Sequence, residues 1–451
     1  MSTRTNNVYT TNNAYNIQYK SLTADQVEDA LTKHKRFVES KSGGARASLK
    51  FVNIPHFDLS NKNMTGADFT GSVLTEVNFE GSDLSFACLF ATDLTGANLS
   101  RCNLKKADMR GIKLKSAKIT YADLTEADLR DGMLLRSKNG ELTPFNPIEA
   151  QSQLELASLS GSKIIRAKLS NSFLVQASLD FCDLRSSSFV NANLSGASIK
   201  SADLTGVDFS DANLTGVNFE GSTFTRAILR NSQLQEASLV GCLLDNVDFS
   251  LVNLGNTLLS NRIDALDDDI AAIVKKHEEW ITSNGKAGSR ADLSNYDLSN
   301  RNLNSLNLSA ALMKCTVLRN ANLASTVLAM ANLELADLRE ANLTSTDLRG
   351  ACFNRAFLQK ATLTNCIAVP MPLRDNYNWP TSFKNAKLQD AILTGTDFSG
   401  ANLAEAIMTG ANIKNAKLVN TILLDTDLTN ADLRGSNLTG ADIRGTVGLR
   451  K

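Results

Sequence analysis

Histidine, tryptophan and proline are scarce in this sequence: three His, two Trp and six Pro among 451 residues. Three histidines leave little for acid–base or metal chemistry. His34 and His277 fall at equivalent places on apolar helical faces, and His56, beside Pro55, has no evident Ser or Cys partner. No catalytic residue is assigned, and no enzyme is expected. Neither sign of charge dominates, with 47 Lys+Arg against 47 Asp+Glu, and no block of like charge marks an electrostatic partner. No apolar run is long enough to span a membrane, and MSTRTNNVYTTNNAYNIQYK lacks the apolar core of a secretory signal, so a cytoplasmic location is expected. Seven cysteines are odd in number and lack metal-type spacing, which points to structural thiols in a reducing compartment, with no metal and no cofactor. No GxxxxGK[ST] follows a strand, so a phosphate loop is excluded. Asp267-Asp268-Asp269 opens a helix, where acids suit the dipole, but lacks the glycine and terminal glutamate of a calcium loop.

Helical and strand periods are also missing from most of the chain, and a period of five replaces them. Every fifth residue is apolar from Leu49 to Leu134, Leu154 to Leu259, Leu293 to Leu363 and Phe383 to Ile443. Two residues before each centre stands something small (Ala97, Cys102, Ala107), and one before it mostly Asp or Asn (Asn98, Asp108). Two after it stands, often, glycine (Gly96, Gly196, Gly440). Side chains alternate along an extended segment, so the small residue and the centre face inward with the Asp or Asn facing out. Turn-tolerant residues then bend the chain. Cys102, Cys182 and Cys242 fall on the small inward place. The many Asp residues follow from the repeat, and turn-bonding or solvated roles are expected for them. A bend every five residues predicts coils of short faces stacked as a parallel β-helix.

These residues resemble the pentapeptide repeat family, whose A(D/N)LXX consensus is met by Ala97-Asn98-Leu99, Ala127-Asp128-Leu129 and Ala431-Asp432-Leu433. The resemblance covers nearly all of 49–445. It implies an all-β fold of right-handed quadrilateral parallel β-helices with four pentapeptides per coil, and it says little about activity.

Helical periodicity appears twice. Val27, Ala30, Leu31, His34, Phe37 and Val38 share one face, with Thr23 and Gln26 placed for a capping box. Leu266, Ile270, Ile273, Val274, His277, Trp280 and Ile281 share another, and KHEEWITSNGKAGSRADL there answers KHKRFVESKSGGARASL at 33–49. The reading is an internal duplication of a capping helix plus a β-helix: a flexible tail over 1–22, a first unit over 23–261 and a second over 262–451. The pattern lapses at 135–153 and 364–382, which hold Pro144, Pro147, Pro370, Pro372 and Pro380. Proline cannot donate to a ladder, so these segments are expected to leave the stack as loops, with a degenerate coil as the alternative.

Phe145, Ile148, Arg374, Tyr377 and Trp379 in those loops are the candidate partner-binding residues. The expected function is a noncatalytic protein–protein interaction scaffold. A DNA-mimicking, topoisomerase (gyrase)-binding protein is the alternative that the resemblance suggests. Residues 154–261 carry only 10 acidic against 7 basic side chains, which weighs against mimicry, and DNA binding itself is not expected. The C-terminal stretch GADIRGTVGLRK stays in register to the end, so a homodimer through the C-terminal coils is expected to shield them.

Overall fold

The structure is a computed structural model and describes residues 9–11, 18–132, 135–138, 141–144, 151–247, 251–258, 263–264, 267–373 and 377–449. The chain divides into two compact units, Met1–Leu259 and Ser260–Lys451.

In both units the repeat sets the backbone. The residue before each centre bridges in parallel to its counterpart one coil on, as in Asp58↔Asn78, Asn78↔Asn98 and Asn98↔Lys118. Its N–H donates back down the stack (Asp93 to the Ser72 carbonyl, 2.8 Å), while that of the centre donates up (Leu94 to the Lys113 carbonyl, 2.8 Å). Each corner closes with an N–H bond across the turn, such as Ala97 to the Leu94 carbonyl at 3.0 Å, and its third residue has positive φ, as in a type II turn. Leu94, Leu99 and Leu104 are 0% exposed, and the centres form one core per unit.

Two features go beyond the sequence reading. Glycine fills only a minority of the left-handed corners, and Glu76, Phe86, Arg101 and Leu156 occupy others at φ of 56°, 56°, 59° and 58°. A left-handed non-glycine residue costs about 1 kcal/mol. It is held there by its N–H, which bonds to the coil above, as Phe86 does to the Lys105 carbonyl at 2.9 Å. Where a corner is Asn or Asp, the corner above is frequently Gly: Asn61 below Gly81, Asn415 below Gly435, Asn420 below Gly440. The Asn61 Oδ1 lies 2.6 Å from where a Cβ on Gly81 would sit. The small inward residues also bond. Ser82 Oγ and Thr92 Oγ1 donate to the carbonyls of Leu59 (2.7 Å) and Phe69 (2.9 Å), and the Cys102 thiol to that of Phe79 (2.9 Å). Buried hydroxyls and thiols are thereby satisfied.

The first unit opens with β1 (Tyr9–Thr11) antiparallel to β2 (Gln18–Ser21), followed by α1 (Ala24–Val38) and β3 (Val52–Asn53), which pairs in parallel with β2. Over these residues the N-terminal stretch pairs. Main-chain bonding needs no apolar periodicity, and Lys20 N–H reaches the Phe51 carbonyl at 2.9 Å. The capping box forms between Thr23 and Gln26, and α1 buries Val27, Leu31 and His34. Phe37, on the same predicted face, is nearly half exposed. The hairpin of β4 (Leu135–Lys138) and β5 (Glu141–Pro144) lies in the first interruption. The ladder passes from Asp128 to Gln153, so the last centre before it is Leu129; Leu134, counted as a centre from sequence, lies outside the described residues.

The second unit repeats the opening with β6 (Ile263–Asp264), α2 (Asp267–Thr282) and β7 (Tyr296–Asp297), β6 and β7 pairing in parallel. Its interruption is shorter than the 364–382 read from sequence. Cys366 and Ala368 are buried in the stack, Ile367 bridges Asp397, and the next bridge is at Ser382. A lone alanine as centre broke the sequence pattern but not the coil. Only the segment between leaves, carrying the hairpin of β8 (Met371–Pro372) and β9 (Asn378–Trp379).

Candidate functional site

The β8–β9 hairpin is tied to its coil by Thr381. Its Oγ1 accepts from the Gly350 N–H at 2.7 Å and donates to the Val369 carbonyl at 2.6 Å, and Leu373 N–H closes onto the Tyr377 carbonyl at 2.7 Å. The base packs on two glycine corners. A Cβ on Gly350 would stand 2.8 Å from Met371 Cβ and 3.0 Å from Trp379 Cδ1, and one on Gly400 would stand 3.2 Å from Pro370 Cγ. Trp379 thus rests one edge on the coil and remains 45% exposed, while Tyr377 is 55% and Leu373 40% exposed. Of the five candidate residues, the structure places Tyr377 and Trp379 on the same arm of this hairpin. Phe145, Ile148 and Arg374 lie outside the described residues.

The histidines serve packing. His34 Nδ1 accepts from the Ala47 N–H and His277 Nδ1 from the Ala291 N–H, both at 3.0 Å. The rings stack on Phe37 and Trp280, and both Nε2 atoms are buried without a hydrogen-bond partner. Burial lowers both pKa values, aided at His34 by Arg46; at His277 the Ser309 backbone opposes it and Arg290 adds to it, and the neutral ring is favoured in both. His56 makes an exposed pair with Glu76 at 3.2 Å. Burial pushes the Cys102, Cys182 and Cys366 thiols up to about 12, far from a reactive thiolate. Among the described residues no group of His, Cys, Asp and Glu could hold a metal ion, and no helix is long and apolar enough to cross a membrane.

On the exterior, the Asp or Asn before each centre accepts the backbone N–H two residues on, as Asp58 does from Ser60 at 3.1 Å. Where Arg follows the centre, it also clamps the carboxylate. Arg110, Arg130, Arg434 and Arg444 donate from Nε at 2.8–2.9 Å and from Nη2 at 2.7–2.8 Å to Asp108, Asp128, Asp432 and Asp442. The Arg434 guanidinium holds the Asp432 carboxyl well below its usual range. Asn ladders link coils where no Arg stands, for example Asn98 Nδ2 to Asn78 Oδ1 at 3.1 Å.

Reading net charge along the chain missed one feature. A single coil, Arg101 to Lys118, carries seven Lys/Arg against one Asp. Counting charge per twenty-residue coil would have found it.

The pentapeptide repeats family model matches residues 46–89, 92–131, 157–261, 302–367 and 381–447. No curated protein matches the chain. Among solved structures, HetL, a pentapeptide repeat protein involved in heterocyst differentiation regulation from the cyanobacterium Nostoc, is 17% identical, with 95% of this chain and 100% of that one covered and a TM-score of 0.17. A pentapeptide repeat protein from the Arabidopsis thaliana thylakoid lumen is 28% identical over 26% of this chain and 77% of its own, at a TM-score of 0.19. QnrB1, a plasmid-mediated fluoroquinolone resistance protein, is 19% identical over 52% and 98%, at 0.21. TM-scores this low carry no argument of their own. The five-residue ladder and the family match, which spans more than half of the sequence, do: this chain belongs to the pentapeptide repeat family.

Proposed function

We propose that the protein is a noncatalytic, cytoplasmic protein–protein interaction scaffold built from two duplicated units, each a helix capping a four-sided β-helix. The observation that carries this reading is the β8–β9 hairpin, which holds Tyr377, Trp379 and Leu373 largely exposed on a base fixed by hydrogen bonds and glycine corners. Large apolar side chains held rigidly in water are suited to a partner's surface. Phe145, Ile148 and Arg374 are proposed as further contacts. The matched geometry of His34 with Ala47 and His277 with Ala291, and of β2–β3 and β6–β7, supports duplication and capping.

The test uses deletions that keep the five-residue register. Removing 371–380, with Pro370→Gly to suit the corner, sets Thr381, Ser382 and Phe383 directly behind the coil ending at Pro370. Removing 132–151 joins Asp131 to Ser152 in the same way. Capture of a defined companion from the source lysate is expected with the intact protein and lost with one deletion. Unchanged capture by both removes the loops from the proposal.

DNA mimicry is disfavoured, because the outward carboxylates that would imitate phosphates are clamped by arginine or bonded within turns. Purified gyrase is expected to supercoil DNA unchanged at micromolar protein, and inhibition or protection would reinstate that reading.

A further inference from the structure

We propose that one face of the first unit, centred on Lys118, docks an acidic, apolar-flanked segment of a partner protein; the proposal rests on the scaffold reading and assigns it a second surface. The middle of this face is the row Asn98, Lys118, Ser158, Ser178, joined by parallel bridges. Along one bordering corner stand Arg101, Tyr121, Gly161 and Phe181 in successive coils. The Arg101 N–H donates to the Thr120 carbonyl (2.9 Å), that of Tyr121 to Ser160 (3.1 Å) and that of Gly161 to Asp180 (2.9 Å). Along the other corner, Lys115 and Ser116 lie below Glu155 and Leu156, with the Ser116 N–H on the Glu155 carbonyl at 2.9 Å.

Three cations and three apolar groups share this face. Arg101, Lys115 and Lys118 are exposed, and Tyr121, Leu156 and Phe181 are 54%, 52% and 40% exposed. The Tyr121 ring lies across Gly161, where a Cβ would stand 2.6 Å from its Cε1, so it lies along the corner and offers its outer surface.

The insertion in the ladder explains the charge. Elsewhere in this coil three of the four remaining cations are neutralised: Lys105 pairs with Asp123 at 3.2 Å, Lys106 with Glu126 at 3.5 Å and Arg110 with Asp108 at 2.8 Å. Asp123 and Glu126 belong to the coil above, on the faces completed before the chain leaves the stack. The faces completed after it returns bring Gln153, Glu155 and Ser158. Glu155 has Oε2 buried without a partner, and Asp180 Oδ1 is taken by Ser198 Oγ and the Lys200 N–H. Among the described residues, Arg101, Lys115 and Lys118 have no carboxylate at ion-pair distance.

Carboxylates complement these cations, and apolar side chains of the partner would cover Tyr121, Leu156 and Phe181. A nucleic acid fits less well, since three cations neutralise few phosphates; the oligothymidylate comparison tests whether base stacking on Tyr121 and Phe181 compensates.

The experiment titrates the full chain, by fluorescence anisotropy, into a labelled twelve-residue peptide alternating Glu with Leu and Phe. A peptide with Lys for Glu, one with Ser for Leu and Phe, and an oligothymidylate serve as comparisons. The acidic apolar peptide is expected to bind best and to weaken with added salt. Lys115→Glu with Lys118→Glu should weaken it about tenfold, and Lys→Arg at both should retain it. Tyr121→Ser with Phe181→Ser should weaken it without altering the salt dependence. Unchanged melting temperatures establish that the variants fold. No binding, equal binding of the Lys peptide, insensitivity to charge reversal, or tighter binding of the oligonucleotide each overturns the proposal. If the peptide fails while deletion of 371–380 still abolishes capture, the scaffold reading stands and only this face is excluded. If the peptide fails and neither deletion alters capture, this face and the loops are both excluded.

Discussion

Single side chains decide where this fold tolerates change. Gly66 and Gly111 both occupy left-handed corners, at φ of 70° and 65°, but a Cβ on Gly66 meets nothing while one on Gly111 collides with the Gly132 carbonyl oxygen. Gly66→Ala is therefore expected to cost about 1 kcal/mol. Gly111→Ala is expected to cost about 2–4 kcal/mol, because main chain must move as well. Urea denaturation of the two variants checks the difference. The buried histidines set a pH dependence. Their folded-state pKa values lie below the ordinary imidazole value of about 6.5, so the unfolded chain binds more protons on acidification. Their contribution is complete above that pH and is lost as pH falls below it through the lowered folded-state values. The clamped aspartates, whose folded pKa values are also lowered, follow only as pH falls below about 4. Between pH 7.5 and 5.5 the wild type should lose thermal stability, and a variant with His34→Gln and His277→Gln should lose less over the same interval.

Among the elements, the coils were legible from sequence and the departures from them only in part. An apolar residue every fifth place fixes which side chains enter the core, and Leu94, Leu99 and Leu104 lie where that pattern puts them. Loop boundaries were misjudged wherever one residue carried the register. Ala368 is small yet remains a centre. Periodicity records size, whereas the ladder is a main-chain property. The β1–β2 strands were invisible for the same reason. At the candidate site, exposed Tyr377 and Trp379 could be suspected from two aromatics among prolines, but the glycine seats at 350 and 400 needed coordinates. The excised-hairpin variant lacking 371–380, with Pro370→Gly, should melt within a few degrees of wild type, because the five-residue spacing closes across the cut. A loss of more than about 10 °C would show that the hairpin braces the unit, since that shift corresponds to several kcal/mol at this size.

For whole units, exposed apolar surface matters most. In the second unit Leu433 and Leu438 are half-buried and Ile443 and Val447 are 50% and 57% exposed, beside a cleft of about 510 Å³ lined by Ala431, Leu433 and Gly448 together with Asn430, Asp432 and Arg434. We propose that a second copy covers these side chains in a C2 dimer. Light scattering at tens of micromolar should report a dimer, and Ile443→Lys with Val447→Lys should return it to a monomer. A wild-type monomer would refute the idea. The corner pairs of Asn415 with Gly435 and Asn420 with Gly440 have a bearing on ancestry. An amide beneath a glycine fits that corner closely, so a gene lengthened or trimmed by whole circuits keeps the fit when both partners of a pair are inherited together, although stacks such as Asn300 with Asn320 show that two side chains can also be accommodated. Seams left by past recombination are therefore to be sought between such pairs, at corners whose neighbours leave room for any side chain.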